Sequence, residues 1–456
     1  MITIDRKGCI YEQIYEQLRN SIITNQLKSN AKLPSKRSLA ATLNVSVNTV
    51  EHAYHKLLDE EFVYTKNRSG FYVNTIDHAF FRKNRPVTFT EDPEERQRPY
   101  IYDFSPLGVD RENFPYSVWK KISNEILLDH EDRLLTTGHY QGEYELRQEI
   151  AHFLADSRSI QVHPSSIIIT SGLEYSYLIL FQLLGDLNFG IENPSFERLE
   201  RLFLSHKIRY TYIHLDEQGA VPDETISPID VLTLTPSHQF PTGRIMPLQR
   251  RMDFLNIANA SKKWIIEDDY DGEFKYSGAP IAPLKAMDIY DRVIYLGNFS
   301  NTIFPSLRLS YMILPDKLRI RYQKNYALKC SVPLLTQLST AKFIESGAFI
   351  RHLNRMKRVY RYKRNLILSF FKGIPSVSLE ESDAGLFMIL KVTTPLSEEE
   401  LCRRAEGSSI LIRPLAYFET TGTEFSKHFL LSFSSIETSR LLEALKALAA
   451  AWALTD

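Results

Sequence analysis

The chain has 456 residues, 43% of them hydrophobic and 24% charged, which is typical of a globular protein with two or three domains. Its 55 basic and 55 acidic side chains balance, which argues against a protein that coats nucleic acid by charge alone but allows a local basic surface. Three scattered cysteines exclude a disulfide framework or a zinc spacing, and no apolar run approaches the ~18 residues of a membrane span, so we expect a cytoplasmic protein.

An N-terminal domain is predicted at residues 1–75. Apolar residues recur every four positions from Ile10 to Ile22, and Pro34-Ser35 opens a second helical pattern. Asn44 falls at a sharp turn, where asparagine tolerates the left-handed conformation, and Ser46 is the expected N-cap of a third helix. This order indicates a helix-turn-helix, whose second helix enters the major groove of DNA.

Two strand-like runs follow the helices, at residues 62–65 and 71–73, and the segment between them is basic and contains a glycine. They predict a β-hairpin, the wing of a winged helix. The alternative interpretation is an ordinary small helical domain with a solvated face. The joint occurrence of helix-turn-helix and wing, with basic residues where phosphate contacts would form, favours the DNA-binding interpretation.

This domain resembles the winged helix of the GntR family, on LPSKRSLA at residues 33–40, VSVNTV at 45–50 and AYHKL at 53–57. Val47 departs from the family pattern, in which an arginine is common and would supply a guanine contact of about 1–3 kcal/mol, so we expect a different operator. Glu61 stands where a helix-ending glycine is usual. The resemblance implies a double-stranded DNA operator as partner and contacts from Ser35, Lys36, Arg37, Ser46, Asn48, Thr49, Arg68 and Gly70.

Residues 76–100 are rich in charge and proline, with few apolar anchors, and are predicted to be a linker. From residue 101 onward, strand-like runs alternate with helical ones. The alternation predicts an α/β domain at residues 101–456, with a mostly parallel sheet covered on both faces. The clearest strand-like runs lie at residues 167–170, 231–234, 264–267, 293–296 and 309–314.

The large domain resembles the fold-type I aminotransferases, and in particular the aminotransferase-like domains fused to GntR modules in the MocR subfamily. The carrying motifs are TPSHQFPTG at residues 235–243, EDDYDGEF at 267–274 and FPSLRL at 304–309. The resemblance implies a small C-terminal α+β subdomain and a pocket for pyridoxal 5'-phosphate. Asp268 would pair with the pyridine nitrogen and Tyr270 with the ring oxygen, while Ser300 and Arg308 would meet the phosphate.

Asn301 stands where this family carries its cofactor-binding lysine, since Asn301 and Arg308 are seven positions apart like the family's lysine and arginine. A Schiff base requires a primary amine, and an asparagine amide is not nucleophilic. We therefore predict a cofactor pocket at Asp268, Tyr270, Ser300, Asn301 and Arg308 without covalent pyridoxal phosphate. Noncovalent pyridoxal or pyridoxamine phosphate stays open, because Asp268 and Arg308 are retained.

Five further positions depart from the family pattern in the same pocket. Misalignment is an alternative explanation for two of them, Leu430 and Thr137. Six departures together indicate that selection for pyridoxal chemistry was relaxed or redirected. The five are Leu430 for the arginine that binds the substrate α-carboxylate, Thr137 for a tyrosine that reaches a neighbouring subunit's phosphate, Glu174 at the helix N-terminus that should cradle the phosphate, Asn298 for a hydroxyl residue, and Phe196 for the stacking tyrosine.

The resemblance and its departures predict a ligand-responsive transcription regulator that forms a homodimer, head to tail, and binds a small-molecule effector. Two winged helices would read two half-sites, because operator symmetry mirrors protein symmetry. We predict no catalytic residue and no metal, and His238 is expected to be structural. One alternative is an enzyme that uses diffusible pyridoxamine phosphate, although asparagine is a poor proton carrier. Another is a scaffold with an inert domain.

Overall fold

The computed structural model describes residues 2–5, 8–66, 69–76, 100–105, 108–278, 281–324, 327–380, 383–419 and 425–454. The chain divides into two compact units, Met1–Gln97 and Arg98–Asp456. Residues 77–99 of the predicted linker lie outside the described residues, as does Arg68 at the tip of the predicted wing. Within the described ranges, no helix is both long and apolar enough to cross a membrane.

The first unit is a three-helix domain with a hairpin. Ile14 and Leu18 on the first helix pack against Val50, Tyr54 and Leu57 on the third, and all five are buried. The two strands pair in antiparallel register, so the predicted helix-turn-helix and wing are confirmed. The elements are α1 (Ile10–Ile23), α2 (Lys36–Leu43), α3 (Val47–Asp59), β1 (Val63–Lys66) and β2 (Gly70–Val73).

Local side-chain chemistry sets the boundaries of these helices. The hydroxyls of Ser35 and Ser46 accept hydrogen bonds from the backbone N–H groups of Ser38 and Thr49, each at 3.1 Å, and cap α2 and α3. An N-cap of this kind is worth about 1 kcal/mol. Asn44 ends α2 with φ 52° and ψ 50°, and Glu61 follows α3 with φ 58°. The turn between α2 and α3 therefore forms where the asparagine predicts it.

The second unit is built on a seven-stranded sheet in the described part of the chain, in the order β4-β12-β11-β10-β9-β5-β6. Its strands are β4 (Ile167–Thr170), β5 (Phe189–Glu192), β6 (Tyr210–Ile213), β9 (Val231–Leu234), β10 (Trp264–Asp269), β11 (Val293–Asn298) and β12 (Ser310–Ile313), and shorter strands are β3 (Tyr102–Asp103), β7 (Leu215–Asp216) and β8 (Gly219–Ala220).

One strand of this sheet, β12, runs opposite to its neighbours β11 and β4, and the other pairings are parallel. Only residues 299–309 connect β11 to β12, which is shorter than the dozen or more residues of a parallel crossover. The mostly parallel sheet is therefore confirmed. Because β9, β10 and β11 are parallel, their carboxyl ends meet at one edge of the sheet, where α/β folds place their ligands.

Helices cover the sheet on both faces, as predicted. Ile168, Ile266 and Leu296 pack with α7, whereas Ile169 and Tyr295 point to the opposite face. The helices up to the end of the sheet are α4 (Tyr116–Asp129), α5 (Glu131–Leu134), α6 (Tyr144–Arg158), α7 (Leu173–Leu184), α8 (Glu197–Ser205), α9 (Leu248–Ala260), α10 (Leu284–Met287) and α11 (Asp316–Lys324).

The C-terminal part forms the small α+β subdomain that the resemblance implies. An antiparallel sheet in the order β13-β14-β17-β16 packs with helices on a shared apolar core. Its strands are β13 (Val377–Glu380), β14 (Phe387–Val392), β15 (Ile410–Leu411, paired with β3), β16 (Arg413–Pro414) and β17 (His428–Ser432), and its helices are α12 (Leu334–Glu345), α13 (Ala348–Phe371), α14 (Glu398–Gly407) and α15 (Leu441–Ala451).

Candidate functional site

Four of the predicted DNA contacts are exposed side chains at the starts of two helices. Ser35 and Arg37 are exposed at the start of α2, and Ser46 and Asn48 are exposed at the start of α3, where Thr49 is half-buried. The helix starts present these side chains at their N-terminal turns, and that is the part of a recognition helix that contacts base edges. Gly70 opens β2 with a φ of 109°, at the described end of the wing.

Lys36 differs from the other predicted contacts because it is already paired inside the domain. Its ammonium binds the carboxylate of Glu51 on α3, and this hydrogen bond holds the pKa of Glu51 below its usual range. Lys32 and Lys66 lie over the ring of Tyr72, at 5.8 and 4.8 Å from its centroid. These two cations beside the wing are missing from the sequence prediction, although the basic hairpin tip was a signal for Lys66.

The predicted cofactor residues of the second unit gather at the carboxyl edge of its sheet. Asp268 lies near the end of β10 and Tyr270 follows it, while Ser300 and Asn301 follow β11. Arg308 precedes β12 and reaches the first turn of α7. The fold therefore brings together the residues that the motifs place far apart in sequence.

Asn301 holds the local backbone together. Its Nδ2 donates to the carbonyl oxygen of Tyr270 at 3.0 Å, and Nδ2 of Asn298 donates to the same oxygen at 3.3 Å. Oδ1 of Asn298 in turn accepts from the backbone N–H groups of Ser300 and Asn301, at 3.0 and 3.4 Å. The two asparagines thus join the segment after β11 to the end of β10, at the position where the motif spacing predicts the lysine of the family.

The N-terminus of α7 contains an anion that belongs to the chain itself. Nη2 of Arg308 donates to Oε2 of Glu174 at 2.9 Å. Burial raises the pKa of Glu174, but the hydrogen bonds from its own backbone N–H and from Arg308 outweigh burial and lower it. Gly172 has a φ of 109°, and a Cβ there would lie 2.4 Å from Nη2 of Arg308. Only glycine lets the arginine approach the helix this closely.

Asp268 is a buried carboxyl group with an unsatisfied oxygen. It is 4% exposed, and its Oδ1 has no hydrogen-bond partner among the described residues. Asp268 shares the face of β10 with Ile266, two positions earlier, and therefore lies on the side that α7 covers. Burial raises its pKa to about 8, with further contributions from Asp269, Asp271 and Glu192. A buried orphan acceptor is costly unless a donor reaches it.

Replacing Asp268 by asparagine is expected to change how stability depends on pH. An unfolded aspartate loses its proton near pH 3.9, whereas folded Asp268 keeps it to about pH 8. The folded state therefore binds more protons across this window, and its stability falls as pH rises through it. The free energy of unfolding of Asp268→Asn, relative to that of the natural chain, should therefore rise by roughly 2–5 kcal/mol from pH 5 to pH 8. Urea unfolding at the two pH values measures this difference. An equal difference at both pH values would contradict the assignment.

Tyr270 contributes to a buried polar network behind the sheet edge. Its hydroxyl lies 3.1 Å from Nδ1 of His238, and that nitrogen lies 2.9 Å from Oδ2 of Asp271. Gly385 leaves the space that the imidazole occupies, because a Cβ there would lie 1.8 Å from the ring. The network fixes the Tyr270 ring and engages its hydroxyl with the histidine.

An apolar cluster surrounds Leu430, the residue that the sequence comparison predicts in place of a substrate-binding arginine. Leu430 is 0% exposed in β17 and packs with Phe240, Phe387 and other buried side chains. The ring of Phe196 stacks on Phe240 with centroids 3.9 Å apart and an interplanar angle of 2°. Thr137, by contrast, is exposed. A leucine in this cluster offers no group for a carboxylate.

These residues fit the ring nitrogen of pyridoxal phosphate, but they do not fit its phosphate or its covalent attachment. The orphan oxygen of Asp268 suits a protonated pyridine nitrogen. The phosphate end does not fit, since Glu174 already pairs with Arg308. The point of covalent attachment does not fit either, because Asn301 has no amine. Among the described residues, no group of three or more histidine, cysteine, aspartate or glutamate side chains could hold a metal ion.

Two family models match the chain. The model described as bacterial regulatory proteins, gntR family, matches residues 10–73, and the model for aminotransferase class I and II matches residues 107–448. Among solved structures, an archaeal alanine:glyoxylate aminotransferase superposes with a TM-score of 0.70 at 23% identity. The superposition covers 78% of this chain and 91% of that one, and it supports the fold alone.

Curated relatives match along nearly the whole chain. The uncharacterized HTH-type transcriptional regulator YdeL of Bacillus subtilis is 35% identical over 450 residues, which cover 97% of this chain and 96% of YdeL. The probable rhizopine catabolism regulatory protein MocR of Rhizobium meliloti is 29% identical, with 99% of this chain and 96% of MocR covered. The chain therefore belongs to the GntR family of bacterial regulatory proteins, in the MocR form that joins a helix-turn-helix domain to an aminotransferase domain.

Proposed function

We propose that this chain is a ligand-sensing transcription regulator whose aminotransferase-like unit binds its effector and dimerises without covalent pyridoxal phosphate. The observation that carries the proposal is Asn301, whose amide is hydrogen-bonded to the Tyr270 carbonyl where an amine would be required. A site that lacks this amine can still bind a ligand noncovalently at Asp268. A ligand that binds one arrangement of the dimer better than another shifts the equilibrium between them.

DNA contact is assigned to the starts of α2 and α3 and to the wing. Ser35, Arg37, Ser46 and Asn48 are exposed there, and hydroxyl, amide and guanidinium groups are the usual donors to phosphates and base edges. Lys36 can reach a phosphate only if it leaves Glu51. We therefore expect Lys36 to contribute less than Arg37.

Exposed apolar side chains at α4 and α5 support a homodimer. Leu127 and Leu128 lie in the last turn of α4, Leu135 follows α5, and Tyr116 opens α4. Leu128 and Leu135 are 72% and 88% exposed. Large apolar residues that are concentrated on neighbouring helices mark an interaction surface more often than isolated ones do. The partner that we assign to this surface is a second copy of the chain.

The double variant Leu128→Glu, Leu135→Glu should convert a dimer to a monomer. Two carboxylates in an apolar interface would each lose solvation without a partner, which weakens association by several kcal/mol. Light scattering after size exclusion measures the mass. Leu442→Glu, at an exposed leucine on α15, is the matched control and should leave the mass unchanged. A monomeric natural chain, or a double variant that remains dimeric, would refute the assignment.

Fluorescence anisotropy with a duplex from the region upstream of the chain's own gene tests the regulator directly. We expect specific binding that weakens as salt rises. The logarithm of the binding constant should fall linearly with the logarithm of the salt concentration, with a slope of about −0.9 per phosphate contacted. A small molecule that raises the melting temperature should also change the affinity for this duplex. Equal affinity for random duplex of the same length would count against the proposal.

An enzyme that uses diffusible pyridoxamine phosphate is the second candidate, and the orphan oxygen of Asp268 is the observation in its favour. Such an enzyme needs a group that moves a proton at the reacting carbon. The amide of Asn301 cannot do so, and Leu430 offers nothing to hold a substrate carboxylate. Transamination assays with added pyridoxamine phosphate should therefore show no turnover above buffer, and measurable turnover would favour the enzyme.

A further inference from the structure

The phosphate-binding end of the pocket contains two groups that neutralise each other. The carboxylate of Glu174 accepts from the first turn of α7, which is where an anion binds at a helix N-terminus. Arg308, the cation that would meet a phosphate, donates to the same carboxylate at 2.9 Å. Arg198 approaches Glu174 more loosely, at 3.9 Å, from an exposed position. The side chain of Glu174 thus uses the donors that a phosphate needs.

The opposite end of the pocket presents acceptors. Oδ1 of Asp268 is buried and has no partner within the described ranges. Asn301 uses one N–H of its Nδ2 on the Tyr270 carbonyl, and its Oδ1 is a further acceptor. Leu430 supplies no cation for a carboxylate. A ligand that donates a hydrogen bond to Oδ1 of Asp268 would satisfy this orphan acceptor.

Aromatic side chains adjoin these acceptors. Tyr270 follows Asp268 by two residues, and the ring of Phe196 meets the Tyr270 ring edge-on at 5.3 Å. Phe196 is half-buried, and one face of its ring is covered by Phe240. Flat rings pack against such surfaces better than alkyl chains do, because aromatic pairs contribute beyond their buried area.

We propose that the effector is a protonated nitrogen heterocycle without a phosphate or carboxylate group, held by an N–H that donates to Asp268, while Glu174 occupies the phosphate-binding end as a built-in anion. This inference rests on the proposed sensor function and names its ligand class. It also assigns Glu174 as the residue that selects against phosphorylated compounds. The site keeps the ring-nitrogen contact of its family and excludes the phosphate contact.

Two probes that differ only in the phosphate group test this assignment. Pyridoxine and pyridoxine 5'-phosphate are titrated by calorimetry into the full chain and into Glu174→Ala and Glu174→Gln. The natural chain should bind pyridoxine at least tenfold more tightly than its phosphate ester. The affinity of both variants for the phosphate ester should be at least tenfold higher than that of the natural chain. Inorganic phosphate should raise the melting temperature of both variants but not that of the natural chain. Glu345→Gln, which breaks a surface ion pair with Lys342, is the control and should behave like the natural chain.

Three results would overturn the inference. They are a natural chain that prefers the phosphate ester, Glu174 variants with an unchanged ratio of the two affinities, and a natural chain that binds neither probe. These measurements contain no DNA, so their failure is separate from that of the proposed function. Specific, effector-dependent binding to the operator duplex would still support a sensor with another ligand class.

Discussion

Replacing Leu430 by arginine is expected to destabilise the second unit by roughly 3–5 kcal/mol and to create no carboxylate site, because it places an unpaired charge in a buried environment. Leu430 is fully buried among Phe240, Phe387 and Leu415. Apolar side chains surround Leu430, and no described acidic group lies in that cluster to pair with an arginine. Urea unfolding followed by tryptophan fluorescence measures the loss.

Leu430→Met is the matched control for this experiment. It conserves volume and apolar character, so its cost should stay below ~1.5 kcal/mol. The Leu430→Arg variant could instead unfold at the same urea concentration as the natural chain and show a melting temperature that rises with added dicarboxylates. That result would show that the pocket is open on this side. The apolar cluster would then not be the core that the structure describes.

Arg37→Ala and Asn48→Ala are expected to weaken DNA binding by about 1–3 kcal/mol each, which is roughly 5- to 150-fold, but with different signatures. Arg37 is exposed at the start of α2 and is assigned to the phosphate backbone. Its loss should weaken all duplexes similarly and reduce the salt slope by about one. Asn48 is exposed in the first turn of α3 and is assigned to a base edge, so its loss should erase discrimination at one operator position.

Lys28→Ala provides a control for this pair, because Lys28 is exposed between α1 and α2 and is not one of the assigned contacts. Its affinity for the operator should stay within about twofold of the natural chain. Anisotropy titrations at several salt concentrations, with the operator and with single-base variants of it, give both signatures. Equal losses with equal salt slopes for Arg37→Ala and Asn48→Ala would contradict the division into phosphate and base contacts.

The sequence predicts the fold well where one short-range signal dominates. The capping serines, Ser35 and Ser46, and the left-handed Asn44 set the helix-turn-helix, and each acts within three residues of itself. The strands β4, β9 and β10 each begin with two or three consecutive apolar residues, as buried strands of a covered sheet do. β5 and β6 escape prediction because Gly190 interrupts the first and polar threonine and tyrosine dilute the second.

The sequence predicts which residues form the candidate site but not which of them pair with one another. Motif spacing identifies Asp268, Asn301 and Arg308, and the structure brings them to one edge of the sheet. The pairing of Arg308 with Glu174 joins residues 134 positions apart, and no local pattern encodes it. The same holds for the stack of Phe196 on Phe240, which depends on how a loop and a helix start meet. Partners of this kind follow from the tertiary fold.

The two units also differ in how far their candidate sites can be predicted from the sequence. The side chains that we assign to DNA contact are exposed polar groups at helix starts, so their chemistry is visible in the sequence. The ligand pocket depends on which groups satisfy each other: the Asn301 amide with the Tyr270 carbonyl, and the Tyr270 hydroxyl with His238. Such pairings decide which donors and acceptors remain for a ligand, and only the folded structure shows them.

Borohydride reduction in the presence of excess pyridoxal phosphate, followed by mass spectrometry of the intact chain and its peptides, tests the central claim most directly. An aminotransferase with its lysine serves as the positive control. We predict that residues 293–314 gain no pyridoxyl group, because Asn301 has no amine to form the bond. A reduced pyridoxyl group fixed within that segment would contradict the account of this chain as a noncovalent receptor.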